Sequence, residues 1–204
     1  MIYKDQVNST KEGKIIPTIK KEDLADIATL TRFERIPTNI FTTSMAASKA
    51  VAGEIAVMIK IKELMGEKCV LGMVTGSTPI QLYQELVRMH KEEGLSFKNV
   101  VTFNLFEYFP TPPDKVLICK EFMNEHLFNH VDIDRENINY IDATVSLEKI
   151  REECENYERK IESYGGVDLG ILGLGRTGHI GFNEPGSPKK SRTRMVTLDN
   201  TTLI

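Results

Sequence analysis

Apolar residues recur along this chain in two patterns, which predict strands and helices that follow one another. Short apolar runs at residues 69–74, 100–103 and 167–172 have the length of buried strands. Helical spacing of apolar residues extends over residues 44–65 and again after Ser146, where Gly165 and Gly166 stop it. Strands that alternate with helices predict an α/β fold, here a Rossmann-like, mostly parallel sheet with helices on both faces.

Weaker patterns predict further elements and a division of the chain. A helix is expected at residues 121–129, and short strands at residues 39–42, 137–141 and 194–198. Thr78 followed by Pro79 and Gln81 reads as a capping box, from which a helix would run to about His90. Residues 1–35 are polar and mixed, so we expect an extension with one short helix, followed by one α/β domain at residues 36–204.

Charge and cysteine content narrow the range of partners. With 26 basic and 29 acidic residues the net charge is −3, which gives no field to attract nucleic acid or an acidic membrane. The three cysteines are an odd number and lie far apart in sequence, which argues against a disulfide framework and against a zinc site. Residues 1–14 lack the apolar core of a secretory signal, and no apolar run approaches a membrane span. A cytoplasmic protein without a metal is therefore expected.

Ligands of such a sheet bind at the carboxyl ends of its strands. Polar segments follow the predicted strands at residues 69–74 and 100–103. Gly76, Ser77 and Thr78 combine a flexible turn, two hydroxyls and a helix N-terminus, which suits a phosphate group. An ordinary helix start without a ligand is the alternative. Glu107, after the strand at residues 100–103, is a second candidate, and a plain surface carboxylate is its alternative.

A glycine-rich loop follows the strand at residues 167–172. Gly173, Gly175 and Gly178 match the dinucleotide-binding fingerprint, and Asp199 lies about the expected distance further on. Residues 179–188 contain two glycines and two prolines, which exclude the helix that this fingerprint requires. The loop instead brings His179 close to Glu184, a pair suited to general acid–base chemistry, although a structurally bonded histidine is the alternative.

Several segments, in the same order, resemble the glucosamine-6-phosphate deaminases over residues 36–204. They are residues 75–79, 101–104, 131–139, 157–169, 178–187 and 191–194. The resemblance implies a hydrolase that isomerises an aldose to a ketose. Such an enzyme opens the sugar ring, moves a proton between C2 and C1, and releases ammonia to give fructose 6-phosphate, without a metal or organic cofactor. Residues 1–35 resemble an extension of members that carry a second domain.

The resemblance also assigns roles to individual residues. His179 would protonate the ring oxygen and Glu184 would orient it. The loop Gly76, Ser77 and Thr78 would hold the substrate phosphate, and Glu107 would contact the substrate. Ser187 and Arg194 would belong to an effector site.

The chain departs from the family pattern at positions that bear on catalysis. Phe106 stands where the family has the Asp that transfers the proton between C2 and C1. A phenyl ring cannot accept a proton, and the neighbouring Glu107 points to the opposite side of an extended segment. Thr177 replaces an Asp that is often found there, and Val196 replaces a basic residue of regulated members. Members of the family also continue through further strands and helices.

Three functional hypotheses remain from the sequence. The first is a deaminase-like protein of amino-sugar metabolism. The second is a non-catalytic paralogue that binds or senses a sugar phosphate, or a subunit that assembles with an intact homologue. The third is a chain that does not fold by itself. A homo-oligomer, or a hetero-oligomer with a homologue, is the expected assembly.

Overall fold

The computed structural model describes residues 36–198, and a parallel sheet organises them. The four strands are β1 (Cys69–Met73), β2 (Val100–Asn104), β3 (Ile138–Asn139) and β4 (Leu169–Gly170). Their order across the sheet is β3-β2-β1-β4, and every neighbouring pair is parallel. This arrangement confirms the predicted α/β fold. Residues 36–40 belong to a separate unit of the chain, and the sheet and its helices lie within residues 41–198.

Within residues 36–198, one α-helix precedes the first strand and three more connect successive strands. They are α1 (Ser44–Leu64), α2 (Ile80–Glu93), α3 (Ile118–Met123) and α4 (Ile150–Ser163). A π-helical turn, Asn124–Phe128, extends α3, and a 3₁₀ turn, Arg135–Asn137, leads into β3. At the start of α1, the Thr43 hydroxyl accepts a hydrogen bond from the Ala46 amide at 3.1 Å.

Alternating side chains of the strands build one core on each face of the sheet. Leu71 and Met73 of β1 point to the face covered by α1, α2 and α3. Val70, Val101 and Phe103 point to the other face, against Tyr157 of α4. Helices therefore lie on both faces, as predicted, and burial of both faces explains why β1 and β2 are almost continuous apolar runs.

Two predicted strands are wrong, because neither segment pairs with another strand within residues 36–198. Residues 39–42 and 194–198 are irregular and largely exposed. Isolated apolar residues have β propensity, but a strand needs a neighbour to take its backbone hydrogen bonds. The predicted strands at residues 137–141 and 167–172 do form, although each is shortened to two paired residues, β3 and β4.

The predicted helix starts are also corrected. Thr78 is not a cap: α2 begins at Ile80 after Pro79, with no side-chain hydrogen bond at its N-terminus. Ser146 does not cap α4, which begins at Ile150 after a turn in which the Lys149 amide bonds the Ser146 carbonyl. The helix predicted at residues 121–129 begins earlier, at Ile118, and ends in the π-helical turn.

No helix within residues 36–198 is both long and apolar enough to cross a membrane. The same residues contain no cluster of three or more His, Cys, Asp or Glu side chains placed to hold a metal ion. All three cysteines are buried and unpaired. The helix predicted within residues 1–35 and the candidate Asp199 lie outside the described residues.

Candidate functional site

A cavity of about 450 Å³ opens at the carboxyl ends of β1 and β4, and we call it the His179 cavity. The turn after β1, the first half of α1, the loop after β4 and residues that follow β2 form its walls. Side chains and backbone that line it include Gly76, Thr78, Phe106, Gly175, His179 and Phe182. It lies at the edge of the sheet where folds of this class bind their ligands.

The turn after β1 presents a helix N-terminus to this cavity. Gly76 adopts φ 119°, a conformation that favours glycine, and residues 76–78 are exposed. Because α2 begins without a side-chain cap, its first amides remain open to an anion. Gly76 and Thr78 line the cavity, whereas Ser77 does not. Two of the three predicted phosphate ligands therefore face the site.

The glycine-rich loop folds back on itself and contains no helix. The Gly175 amide donates to the His179 carbonyl at 2.9 Å, and the Gly178 amide donates to the Gly175 carbonyl at 3.0 Å. Leu174 and Ile180 form an antiparallel bridge. This geometry agrees with the rejection of the dinucleotide fingerprint, and it fixes the backbone that carries His179.

Thr177 links the two predicted catalytic side chains. Its Oγ1 lies 2.9 Å from His179 Nδ1 and 2.7 Å from Glu184 Oε2. The direct approach from His179 Nδ1 to Glu184 Oε1 is longer, at 3.5 Å. The imidazole is only 13% exposed. His179 and Glu184 are thus brought together as predicted, with a hydroxyl between them.

Gly175 makes room for the imidazole. A Cβ atom at this position would lie 2.1 Å from His179 Nε2, far inside any permitted contact. The ring of His179 therefore occupies the space that a side chain at residue 175 would fill. Any other residue at this position would displace the imidazole.

Aromatic rings fill the part of the cavity near β2. The centroids of Phe106 and Phe182 are 4.4 Å apart, and the Phe182 centroid lies 5.5 Å from that of His179. Tyr108 packs edge-on against both phenyl rings. Phe182 itself has φ 60°, an uncommon conformation for a bulky residue. Phe106 thus faces the site, and hydrophobic contacts hold it there.

Glu107 turns away from His179 and caps α3. Its carboxylate accepts hydrogen bonds from the Tyr108 amide at 2.9 Å and from the Cys119 amide at 3.1 Å. Burial raises the pKa of Glu107, and these hydrogen bonds offset the effect only in part. Burial and the nearby Glu107 raise the pKa of the Cys119 thiol to about 12. Glu107 does not line the His179 cavity.

Ser187 and Arg194, the predicted effector residues, lie together on a segment that docks on α4. Arg194 Nη2 donates to Ser187 Oγ at 3.4 Å, and Arg192 Nη2 donates to Glu162 Oε1 at 2.6 Å. Arg194 lines a second cavity of about 370 Å³ between this segment and α4, which Ser187 does not line. The rings of Phe106, Tyr108 and Phe182 border both cavities.

Sequence reasoning missed the importance of three loop residues, and their signals differ. Thr177 was visible only as a departure from the family pattern, although a hydroxyl two residues before a histidine can reach its ring. Gly175 was part of a fingerprint that does not apply. No sequence signal identifies Phe182 as the packing partner of Phe106, because the contact joins two distant loops.

Comparison with known proteins identifies relatives for most of the chain. The profile of glucosamine-6-phosphate isomerases/6-phosphogluconolactonase matches residues 42–201. A glucosamine-6-phosphate deaminase-like protein of Bacteroides thetaiotaomicron is 45% identical over 89% of this chain, which corresponds to 27% of that protein. Glucosamine-6-phosphate deaminase 1 of Giardia intestinalis is 46% identical over 78% of the chain. The chain spans 60% of the length of the Giardia protein.

Two solved structures share the fold. A monomeric glucosamine-6-phosphate deaminase superposes with a TM-score of 0.73 at 38% identity, over 79% of this chain and 65% of that one. The 6-phosphogluconolactonase of Thermotoga maritima superposes with a TM-score of 0.53 at 27% identity, over 65% of this chain and 58% of that one. The sheet and its helices are therefore shared with enzymes that are named for two different reactions.

Proposed function

This chain belongs to the family of glucosamine-6-phosphate isomerases and 6-phosphogluconolactonases, and we propose that it binds glucosamine 6-phosphate in the His179 cavity. It would do so as a deaminase-like protein of amino-sugar metabolism. The observation that carries the proposal is the position of His179, on the wall of a cavity that the uncapped N-terminus of α2 also faces. Relatives with about the same degree of identity, 43–46%, are named glucosamine-6-phosphate deaminases.

The cavity suits the two ends of such a ligand. The phosphate would bind at Gly76 and Thr78, where open amides and the positive end of the α2 dipole favour an anion. The sugar ring would then extend towards His179. A protonated imidazole would give its proton to the ring oxygen as the bond from that oxygen to C1 breaks. The C1 hydroxyl would give its proton to a water molecule as the aldehyde forms. These steps need no metal or organic cofactor.

The next step, proton transfer between C2 and C1, would need a second acid–base group besides His179, a role that the resemblance gives to a carboxylate. Among the described residues that line the His179 cavity none is an aspartate or a glutamate. Phe106 faces the site, and its ring packs against Phe182. Loss of a positioned general base costs roughly 10²–10⁴-fold in rate. We therefore propose that binding and ring opening are retained and that isomerisation is slow.

That deficit supports a second candidate function. A protein that holds the sugar phosphate without converting it could act as a sensor, or as a regulatory subunit of an intact homologue. The Phe106–Phe182 contact favours this candidate, because it replaces a charged group with a packed ring. Both functions use the same cavity and differ in turnover.

Thermal unfolding with and without ligand tests binding, and release of ammonia tests turnover. A ligand at 100 times its Kd stabilises the folded chain by about 2.7 kcal/mol. We expect glucosamine 6-phosphate to raise the Tm, whereas glucosamine and 6-phosphogluconate at the same concentration raise it less. Ammonia release would distinguish the deaminase from the sensor. If none of the sugar phosphates raises the Tm, both functions are contradicted.

We also propose a cytoplasmic location and assembly into a homo-oligomer, or a hetero-oligomer with an intact homologue. The solved deaminase with 38% identity is described as monomeric, so the relatives do not all assemble. Light scattering of the purified chain, alone and mixed with an intact homologue, measures its molar mass. A monomer in both samples would contradict the proposed assembly.

A further inference from the structure

We infer that Thr177 is a positioning residue, whose hydroxyl fixes the proton of His179 on Nδ1 and leaves Nε2 as the free acceptor beside Gly175. The inference rests on the proposed function only for the identity of the substrate. It rests on the contacts of the Thr177 hydroxyl with both His179 and Glu184.

Counting protons along the chain of hydrogen bonds gives the tautomer. An ionised carboxylate has acceptor atoms only, so the Thr177 hydroxyl donates its one hydrogen bond to Glu184 Oε2, at 2.7 Å. The same oxygen lies 2.9 Å from His179 Nδ1 and has no proton left to give. Nδ1 must therefore be the donor, and in a neutral imidazole Nε2 then carries the free lone pair.

The hydroxyl is needed because the carboxylate does not reach the ring. His179 Nδ1 and Glu184 Oε1 are 3.5 Å apart, beyond the usual length of a hydrogen bond between nitrogen and oxygen. Thr177 precedes both residues, by two positions and by seven, and its hydroxyl lies between their side chains in space. As a β-branched residue it has few side-chain rotamers, so its hydroxyl is held in place.

The consequence for chemistry is that Nε2 is the atom that exchanges protons with a ligand. Within residues 36–198, the imidazole of His179 makes its hydrogen bond through Nδ1, and no hydrogen bond uses Nε2. Nε2 lies beside Gly175, in the space that a Cβ would occupy, and both residues line the His179 cavity. Thr177 and Gly175 thus act together: Thr177 keeps the proton on Nδ1, and Gly175 leaves room for the imidazole ring.

Nitrogen-15 NMR of the histidine-labelled 204-residue chain tests this inference without any substrate. The chain has four histidines, and the signal lost in a His179→Gln variant identifies His179. In the parent protein at mildly alkaline pH, we expect the proton on Nδ1 and an unprotonated Nε2. Thr177→Ser should keep this pattern, because it keeps the hydroxyl. Thr177→Val should lose it, with a rise in the population protonated on Nε2.

A matched control lies in the same part of the chain. The Thr193 hydroxyl also donates to a carboxylate, Glu158 Oε1, at 2.7 Å, but does not contact His179. Thr193→Val should therefore leave the His179 signals unchanged. A proton on Nε2 in the parent protein, or the same tautomer in Thr177→Val as in the parent, would overturn the inference. If the parent and the variants show the expected tautomers but glucosamine 6-phosphate does not shift the His179 signals, the proposed function fails and the role of Thr177 stands.

Discussion

The phenyl rings of Phe106 and Phe182 meet with their centroids 4.4 Å apart and their planes inclined at 60°. Phe106 comes from the end of β2 and Phe182 from the glycine-rich loop after β4, so the contact joins two walls of the His179 cavity. Packing of this kind stabilises the loop that carries His179. It also fills with hydrocarbon the position at which the resemblance to the deaminases implies a proton acceptor.

Phe106→Asp should restore a base to the cavity. We expect isomerisation of glucosamine 6-phosphate to fructose 6-phosphate to rise by roughly 10²–10⁴-fold over a matched Phe106→Asn variant. The amide has the same shape as the carboxylate and removes the same ring contacts, but it cannot accept the proton. Fructose 6-phosphate formation measures the difference. Equal rates in the two variants would show that position 106 does not limit turnover.

Gly175→Ala should disable His179 without unfolding the protein. The new methyl group would lie 2.1 Å from Nε2, so the imidazole must leave its place and the bond to Thr177 breaks. We expect the rise in Tm caused by glucosamine 6-phosphate to shrink or disappear, while the Tm of the free protein changes little.

Gly170→Ala is the control for this effect. Gly170 lies in β4, its Cβ would meet no atom within 4 Å, and it does not line the cavity. This variant should respond to the ligand as the parent does. If both alanine variants bind alike, the imidazole is not held against residue 175 in the functional protein.

The sequence predicted the strands and helices that bury apolar residues, because burial leaves a periodic pattern. β1 and β2 appear as continuous apolar runs, and α1 and α4 show helical spacing. The ends were less predictable. A strand at residues 194–198 would need a partner that the described residues do not provide. At the start of α2, Pro79 rather than the expected Thr78 immediately precedes the first helical residue, Ile80.

The site was predicted in part, and the limit is again physical. His179 and Glu184 are close in sequence, so one loop was enough to bring them together. The Phe106–Phe182 contact joins residues far apart in sequence, and no local pattern announces it. The orientation of Glu107 depends on the start of α3, because its carboxylate accepts a hydrogen bond from the Cys119 amide there. The sequence pattern predicted that start at residue 121, three residues too late.

Glu107→Gln should flatten the dependence of stability on pH. Burial raises the pKa of Glu107 in the folded protein above its ordinary value of 4.5. The folded state therefore binds the proton more tightly than the unfolded state, and this favourable contribution is complete below about pH 4.5. It is lost as the pH rises through the higher pKa of the folded state. Urea unfolding of the parent between pH 4.5 and pH 7.5 should show this loss, and Glu107→Gln should lack it.

Glu155→Gln serves as the control for the pH effect. Glu155 is exposed on α4, where it pairs with Arg151 across one helical turn. Its replacement should leave the slope of stability against pH as in the parent. A slope that persists unchanged in Glu107→Gln would mean that another group titrates in this range.

Tyr157→Phe should weaken the join between β2 and β3. The Tyr157 hydroxyl is buried and lies 2.8 Å from the Asn104 carbonyl and 3.2 Å from the Asn139 carbonyl, at the ends of these strands. Loss of such a donor leaves buried acceptors without a partner, so we expect the free energy of unfolding in urea to fall by about 1–3 kcal/mol. Tyr164→Phe is the matched control, because its ring also packs edge-on against Phe103 but is 36% exposed. Equal losses in both variants would assign the effect to the rings rather than to the hydroxyl.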